Sequence, residues 1–568
     1  MRPYSWQVAL VLVLLTLESA GNLYLPYLNA DIINNGVVQG NVDYIWRVGG
    51  IMVGIVFALG AIAVVVTYRA ARISMRTGAD LRAAIYRRVQ GFSAAEMNRF
   101  GIPSLITRNV NDVQQVQIFV TMTFSLLFMA VIMSIGSIGM AIWESAPLSL
   151  LLAVALPVMA LVVGVLMVIL VPMARAVQVR TDNLNQLLRE QITGVRVIRA
   201  FLRERSERER FREANAGISK IMLRGTRILA LAVPVLLGIA NLSSVGVIWF
   251  GGRFVSEGSM PIGTLTAFLI YIVQILVYSM IAVSVIMLIP RAVASAERIS
   301  QVINTDPAIT DPAEPLVPAE PAGTVEFRHV SFGYPGSERP VLNDLTFTLR
   351  PGQTTAIIGG TGSGKTTLLN LIPRFFETAD GMVLIDGVNV REQAVEQLWS
   401  SLGLVPQTAF LFAGTVGSNL RFGMPEASDE QLWRALDVAQ ALDFVASMPG
   451  QLDAPVDQGG TNVSGGQRQR LSIARALVRR PRVYLFDDCF SALDAGTDAR
   501  LRGALRDEVT DATVVIAAQR ASTIMHAEQI IVLDAGSIAG IGTHEQLLAD
   551  CVPYQEIIAS QLGEAATV

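Results

Sequence analysis

Two residue types are almost missing from this 568-residue chain: cysteine occurs only at Cys489 and Cys551, and lysine only at Lys220 and Lys365. Two cysteines, with no metal-ligand spacing around them, argue against a disulfide framework and against a zinc site. Acidic residues are scarce across residues 1–300, whereas residues 323–568 have the composition of an ordinary soluble α/β domain. The net charge of −3 therefore describes neither part, because the charges are segregated along the chain. No small-residue cleavage site follows Met1-Arg2-Pro3, which leads straight into an apolar run. The N-terminus reads as a retained anchor, not a removed signal.

Uncharged sequence is abundant instead. Six runs each suffice for the roughly 20 helical residues that cross about 30 Å of hydrocarbon. They lie between Arg2 and Asp31 (broken only by Glu18), Arg47 and Arg69, Asp112 and Glu144, Glu144 and Arg175, Arg227 and Arg253, and Glu257 and Arg291. An even number of spans returns both ends to one side. Residues 69–112 hold eight arginines and residues 175–227 hold twelve arginines and a lysine, while the opposite connections contribute only Arg47 and Arg253. The excess of arginine makes the two basic segments cytoplasmic. Their length predicts spans that continue as helices beyond the bilayer.

The length allows two or three domains. Residues 1–304 read as a six-span, all-α transmembrane domain with long cytoplasmic extensions. Residues 305–322, with prolines at 307, 312, 315, 318 and 321, read as a semi-extended linker. Residues 323–568 read as an α/β phosphate-loop domain. Within the spans, Glu18 faces a cavity or a partner, or is a hydrogen-bonded packing residue beside Ser19, Gly21 and Asn22. Met122, Met129, Met133 and Met140 form either an adaptable apolar wall or ordinary packing. Tyr271, Gln274 and Tyr278 share a helical face that is a candidate pathway lining. The arginine- and glutamate-rich stretch from Ala200 to Arg212 reads as a docking helix or as a solvated charged face.

The chemistry is carried by three spaced motifs. Gly359-Gly360-Thr361-Gly362-Ser363-Gly364-Lys365-Thr366 fits G-x-x-x-x-G-K-[ST], in which backbone amides approach phosphates, the lysine neutralises their charge and the hydroxyl serves Mg²⁺. In a chain with so little lysine, Lys365 inside this loop points to a chemical need. Val463-Ser464-Gly465-Gly466-Gln467 opens a helix-like segment whose N-terminal amides suit a phosphate. The apolar run Val483-Tyr484-Leu485-Phe486 then delivers Asp487 and Asp488, followed by Ser491-Ala492-Leu493-Asp494.

Together these motifs resemble the nucleotide-binding domain of an ABC transporter. With the six spans, residues 1–560 resemble a half-transporter of an ABC exporter of multidrug or lipid type. The resemblance implies ATP and Mg²⁺ as cofactors. It implies an ATP site made of Tyr334 (stacking on adenine, before Pro335), Gly359 to Thr366 and Thr367, with Thr366 and Asp487 serving the metal and Gln407 reaching the metal or the attacking water. Ser464, Gly465, Gly466 and Gln467 match the family signature and are expected to act on ATP held by a second subunit. Val456 to Gly460 resembles the family's cross-linking loop, with Gln458 where many members have glutamate.

Two departures fall on the chemical positions. Asp488 stands where the family usually has glutamate, and Gln519, before Arg520, where it has histidine; His329, His526 and His544 lie elsewhere. A carboxylate one methylene short, and a neutral amide for an imidazole, imply a degenerate site that binds ATP and hydrolyses it poorly, beside a competent site in a heterodimer. The expected function is ATP-driven export of amphipathic, hydrophobic or lipid-like compounds. The expected location is the bacterial inner membrane, with both termini and the nucleotide domain cytoplasmic and no nucleic-acid partner. Alternatives at this stage are an importer on the exporter fold, such as for an iron chelate, a homodimeric exporter with slow ATPase, and a non-transporting ATP-dependent regulator.

Overall fold

The computed structural model describes residues 4–334 and 336–565; Met1 to Pro3, on which the expectation of a retained anchor rests, and Pro335 lie outside the described residues. The chain divides into two compact units. One comprises the residues up to Tyr86 and Leu105–Asn304, the other Arg87–Ser104 and everything from Thr305 on.

The first unit is built on six long apolar helices: α1 (Ser5–Val37), α2 (Val42–Gln90), α3 (Ile102–Glu144), α4 (Ala146–Thr193), α5 (Glu204–Ser256) and α6 (Ile262–Ile303). Each is longer than a bilayer requires, and in α2 to α5 the apolar run is continued by helix that carries arginines. α3 and α6 are fastened together by charge: Arg298 donates from Nε and Nη2 to the two carboxylate oxygens of buried Asp112, at 2.8 and 2.5 Å. Ser295 Oγ adds a third donor to Asp112 at 3.2 Å. Between α4 and α5 a short helix, Val195–Ala200, is capped by Phe201 and followed by Leu202, whose φ of 54° is left-handed. The stretch from Ala200 to Arg212 is therefore not one docking helix. It is a helix end, an exposed corner at Phe201 and Leu202, and the first turns of α5.

The face of α6 carrying Tyr271 and Gln274 also differs from expectation. Tyr271 is fully buried among α1, α3 and α6 side chains and donates its hydroxyl to Leu23 O at 2.9 Å. Gln274 Oε1 accepts from Ser137 Oγ at 3.1 Å. These two side chains tie α6 to α1 and α3, while Tyr278 on the same face is half-buried; helical spacing predicts a shared face but not what the face meets. Met133 is likewise fully buried, and Glu18 is buried.

In the second unit, residues 305–322 contain no helix or strand. Strands β1 (Val325–Phe332), β2 (Leu342–Leu349), β4 (Asp380–Ile385) and β5 (Val388–Asn389) form an antiparallel sheet in the order β2-β1-β4-β5. The main sheet has the order β12-β11-β3-β10-β9-β6, from β3 (Thr354–Ile358), β6 (Leu402–Val405), β9 (Val483–Asp487), β10 (Thr513–Ala517), β11 (Gln529–Asp534) and β12 (Ser537–Gly542). Strands β7 (Gly414–Thr415) and β8 (Pro455–Val456) pair separately. β3, β9 and β10 run parallel at the centre and are buried along nearly their whole length, as strands covered on both faces are. Parallel strands bring their C-terminal ends to one edge, and that edge carries the chemistry.

Candidate functional site

β3 ends in the glycine loop and α7 (Lys365–Leu371) begins directly behind it. Glycine is required at two points. Gly364 has φ 103°, and a Cβ on Gly359 would lie 2.2 Å from Leu533 O. The Lys365 side chain folds back into the loop, where Nζ donates to Gly359 O at 2.8 Å and Gly360 O at 2.9 Å. Burial pushes its pKa down, opposed by the carboxylates of Asp488 and Asp487.

Asp487 closes β9 and accepts from Thr366 Oγ1 at 2.9 Å. Burial raises its pKa, and the Thr366 hydrogen bond and Lys365 work against that rise. Two adjacent hard oxygen donors, one of them a buried carboxylate, suit a Mg²⁺ ion. Asp488 follows in a left-handed conformation, φ 45°, with its N–H on Ala517 O at 2.9 Å. Its Oδ2 accepts from Gln407 Nε2 at 3.2 Å and from Gln519 Nε2 at 3.3 Å. The loop after β6 and the end of β10 thus deliver two amides to one carboxylate oxygen. Gln407, expected at the metal or the attacking water, donates its amide N–H to Asp488.

Tyr334 stands beside the loop. Its hydroxyl shares a hydrogen bond of 3.0 Å with Thr367 Oγ1, and Phe332 and Phe376 meet its ring edge-on at 5.0 and 5.3 Å. The ring is 37% exposed. Ser464 to Gln467 are placed apart: they form the N-terminus of α8 (Gly465–Arg479), with Ser464 Oγ accepting from Gln467 N and Gln467 Oε1 from Ser464 N. Ser464 and Gly465 are exposed, and a Cβ on Gly465 would meet nothing within 4 Å. Among the described residues no hydrogen bond joins these four to the cluster around Lys365. Gln458 lies in a short 3₁₀ turn before the helix.

Sequence reasoning missed Gln469. It is buried on α8 and donates to Pro406 O at 3.2 Å, tying the signature helix to the residue before Gln407. A glutamine on the buried side of an amphipathic helix was the available signal. Also missed was the exposed aromatic trio Phe410, Phe412 and Phe422, with Phe412 stacked on Phe422 at 4.5 Å.

An ABC transporter ATP-binding protein of Mycobacterium tuberculosis, described as uncharacterized, is 44% identical over 564 residues, covering 99% of this chain and 97% of that protein. The chain belongs to the ABC transporter family. The family profile described as the ABC transporter transmembrane region matches residues 8–280, and the profile described as ABC transporter matches residues 342–491. A second uncharacterized ABC transporter ATP-binding protein, from Bacillus subtilis, is 33% identical over 99% of this chain and 98% of its own. Among solved structures, a bacterial Atm1-family ABC exporter with ATP bound superposes with a TM-score of 0.80 at 24% identity, over 98% of each chain. The fold of this ABC transporter is thus of exporter type. It is an integral membrane protein that binds ATP and couples its hydrolysis to transport.

Proposed function

We propose that this ABC transporter is one half of an asymmetric exporter, the half whose own ATP site hydrolyses poorly. The observation that carries the reading is the double amide clamp on Asp488. Attack on the γ-phosphate needs a base or polariser within hydrogen-bond reach of the water. Aspartate withdraws the carboxylate by about one bond length relative to glutamate, and a displacement of about 1 Å can cost on the order of 100-fold. Gln407 and Gln519 both engage Oδ2, one of the two oxygens from which a water could be polarised. Gln519 adds no charge where phosphate charge builds.

The binding parts are intact. The glycine loop and Lys365 would hold the phosphates, Tyr334 the adenine, and Thr366, Asp487 and Gln407 the Mg²⁺, which when bound compensates charge on the β- and γ-phosphates. Ser464 to Gln467, exposed at a helix N-terminus, would complete the competent site of a second subunit. ATP-driven association of the two nucleotide domains would then be transmitted to the spans. Export of amphipathic, hydrophobic or lipid-like compounds is supported by relatives named as a multidrug efflux protein of M. tuberculosis (32% identity over 87% of this chain and 41% of that longer protein) and a lipid A-core flippase of Syntrophus aciditrophicus (29% over 99% of this chain and 93% of the flippase). The arginine distribution supports a cytoplasmic nucleotide domain and cytoplasmic termini at the bacterial inner membrane.

The test is Asp488→Glu with Gln519→His, in a pair whose partner has its own hydrolytic carboxylate neutralised. The parent pair is expected to retain trapped, unhydrolysed ATP at Lys365, and the double variant to convert it to ADP. Each single change recovers little, because such groups act as a unit. Brisk ATPase from the purified chain alone, or a parent site that turns over as fast as its partner's, would sink the proposal.

A further inference from the structure

Between α2 and α3 a cavity of about 430 Å³ opens. Its wall combines Met75, Ile118 and Met122 with Ser74, Gln117 and Arg82, and no aspartate or glutamate lines it. The polar part is built, not incidental. Gln117 is buried; its Nε2 lies 3.4 Å from Ser74 O and 3.6 Å from Met75 Sδ, and its Oε1 accepts from Arg82 Nη1 at 3.1 Å. Ser74 Oγ in turn donates to Gln117 O at 2.8 Å. The amide fits there because residue 78 is glycine: a Cβ would sit 2.2 Å from Gln117 Cδ and Nε2.

Gln117 Oε1 is the one hydrogen-bond partner of the Arg82 guanidinium among the described residues, and it is neutral. The nearest acid in sequence, Asp80, is taken by the Tyr4 hydroxyl at 2.6 Å. A guanidinium presents five N–H donors in a fork suited to carboxylate, sulfonate or phosphate. Here that fork is oriented by a buried amide, faces a cavity walled by methionine and isoleucine, and meets no carboxylate.

We propose that this cavity binds an amphipathic organic anion, its charged head on Arg82 and its apolar body along Met75, Ile118 and Met122. The volume falls in the range of small-molecule sites. Depth decides the source. Arg82 lies thirteen residues beyond Arg69, the charge that ends the apolar run of α2. At 1.5 Å per helical residue this is roughly 20 Å, and the headgroup layer on each face is only about 5–8 Å deep. Tilt of about 20° changes this by less than a tenth. The head is therefore met from the cytosol, and the body reaches back along Ile118 and Met122, inside the apolar run of α3, toward the leaflet. This deepens the transport reading by naming a substrate class, and it rests on that reading only for the step after binding.

The experiment measures binding without nucleotide, so its outcome is independent of whether the chain exports anything. Full-length protein in phosphatidylcholine nanodiscs is titrated with 11-(dansylamino)undecanoic acid and, in parallel, with its uncharged methyl ester; empty discs give the background. Saturable binding of the acid is expected, weakened about tenfold or more in Arg82→Gln and largely kept in Arg82→Lys, as loss of a charge-assisted contact predicts. The ester should bind more weakly than the acid and be indifferent to Arg82→Gln. Ile118→Trp, which fills the cavity and leaves Arg82 in place, should abolish acid binding. Equal affinities for acid and ester, or unchanged acid binding in both Arg82→Gln and Ile118→Trp, would overturn the site. Displacement of the acid by phosphatidylglycerol included in the discs would overturn the cytosolic source.

Discussion

Replacing Arg298 by methionine removes the fastening between the cytoplasmic ends of α3 and α6 while keeping the volume of the side-chain stem. Asp112 is 4% exposed and would retain Ser295 Oγ alone of its three hydrogen-bond donations. Removing one partner of a fully buried ion pair costs about 3–5 kcal/mol. Arg298 is 47% exposed, so water already screens part of the attraction, and about 2 kcal/mol is the expected loss. In thermal unfolding of full-length protein in nanodiscs this is a drop of several degrees. Asp112→Asn, which makes the buried group neutral, should cost about 1 kcal/mol. The double variant should be no worse than Arg298→Met, an interaction energy of about 1 kcal/mol or more. Arg108 donates to Arg298 O at 2.8 Å and Gln301 Oε1 at 3.2 Å, and these changes leave both acceptors in place. Two single effects that simply add would refute the reasoning, since the residues would then not be sensing each other.

The buried carboxylate of Asp487 sets a second expectation. Its folded-state pKa is raised, so the native state holds the proton more tightly than the unfolded chain does, and ionised Asp487 costs stability that is recovered as pH falls through the raised value. Asp487→Asn should therefore raise the nucleotide-free melting temperature at neutral pH, by an amount on the order of 1 kcal/mol, flatten the mildly acidic part of the pH profile, and weaken stabilisation by MgATP. A melting temperature lowered at neutral pH would contradict this. Gly465→Asp places its Cβ in open space and a negative charge at a helix N-terminus, so the fold should be unharmed or slightly steadied. ATPase of the assembled pair should nonetheless fall by at least about tenfold if this glycine faces a γ-phosphate, each 1.4 kcal/mol of repulsion being a factor of ten; turnover within twofold of the parent would remove the signature residues from the partner's site.

The spans and the glycine loop were legible because each is dictated by a demand that few residues meet: no charge over some twenty positions in the first case, no side chain against a phosphate in the second. Asp487 was legible for a similar reason, a carboxylate at the end of a fully apolar strand. Tyr271 was not, because a spacing of three and four fixes a common face and leaves open whether that face meets a helix, lipid or a channel. The corner at Leu202 depends on a single left-handed residue that composition does not mark. Gln469 and Gln117 escaped because a buried amide is recognisable only by its partners, Pro406 O in one case and Arg82 in the other, and those partners are 63 and 35 residues away. The pairing of Gln407 and Gln519 on Asp488 has the same origin: three loops distant in sequence converge at the C-terminal edge of one sheet.

The seating of Lys365 on its own loop carbonyls has a practical consequence for labelling. Lys220 is exposed, whereas Lys365 is buried with its ammonium engaged at 2.8 and 2.9 Å. An amine-selective acylating reagent used on native protein would thus find one side-chain target on the surface and a second that becomes reactive only when the loop lets go. Peptide mass spectrometry of that one modification would read how often the loop opens, with Lys220 as the internal standard in every sample.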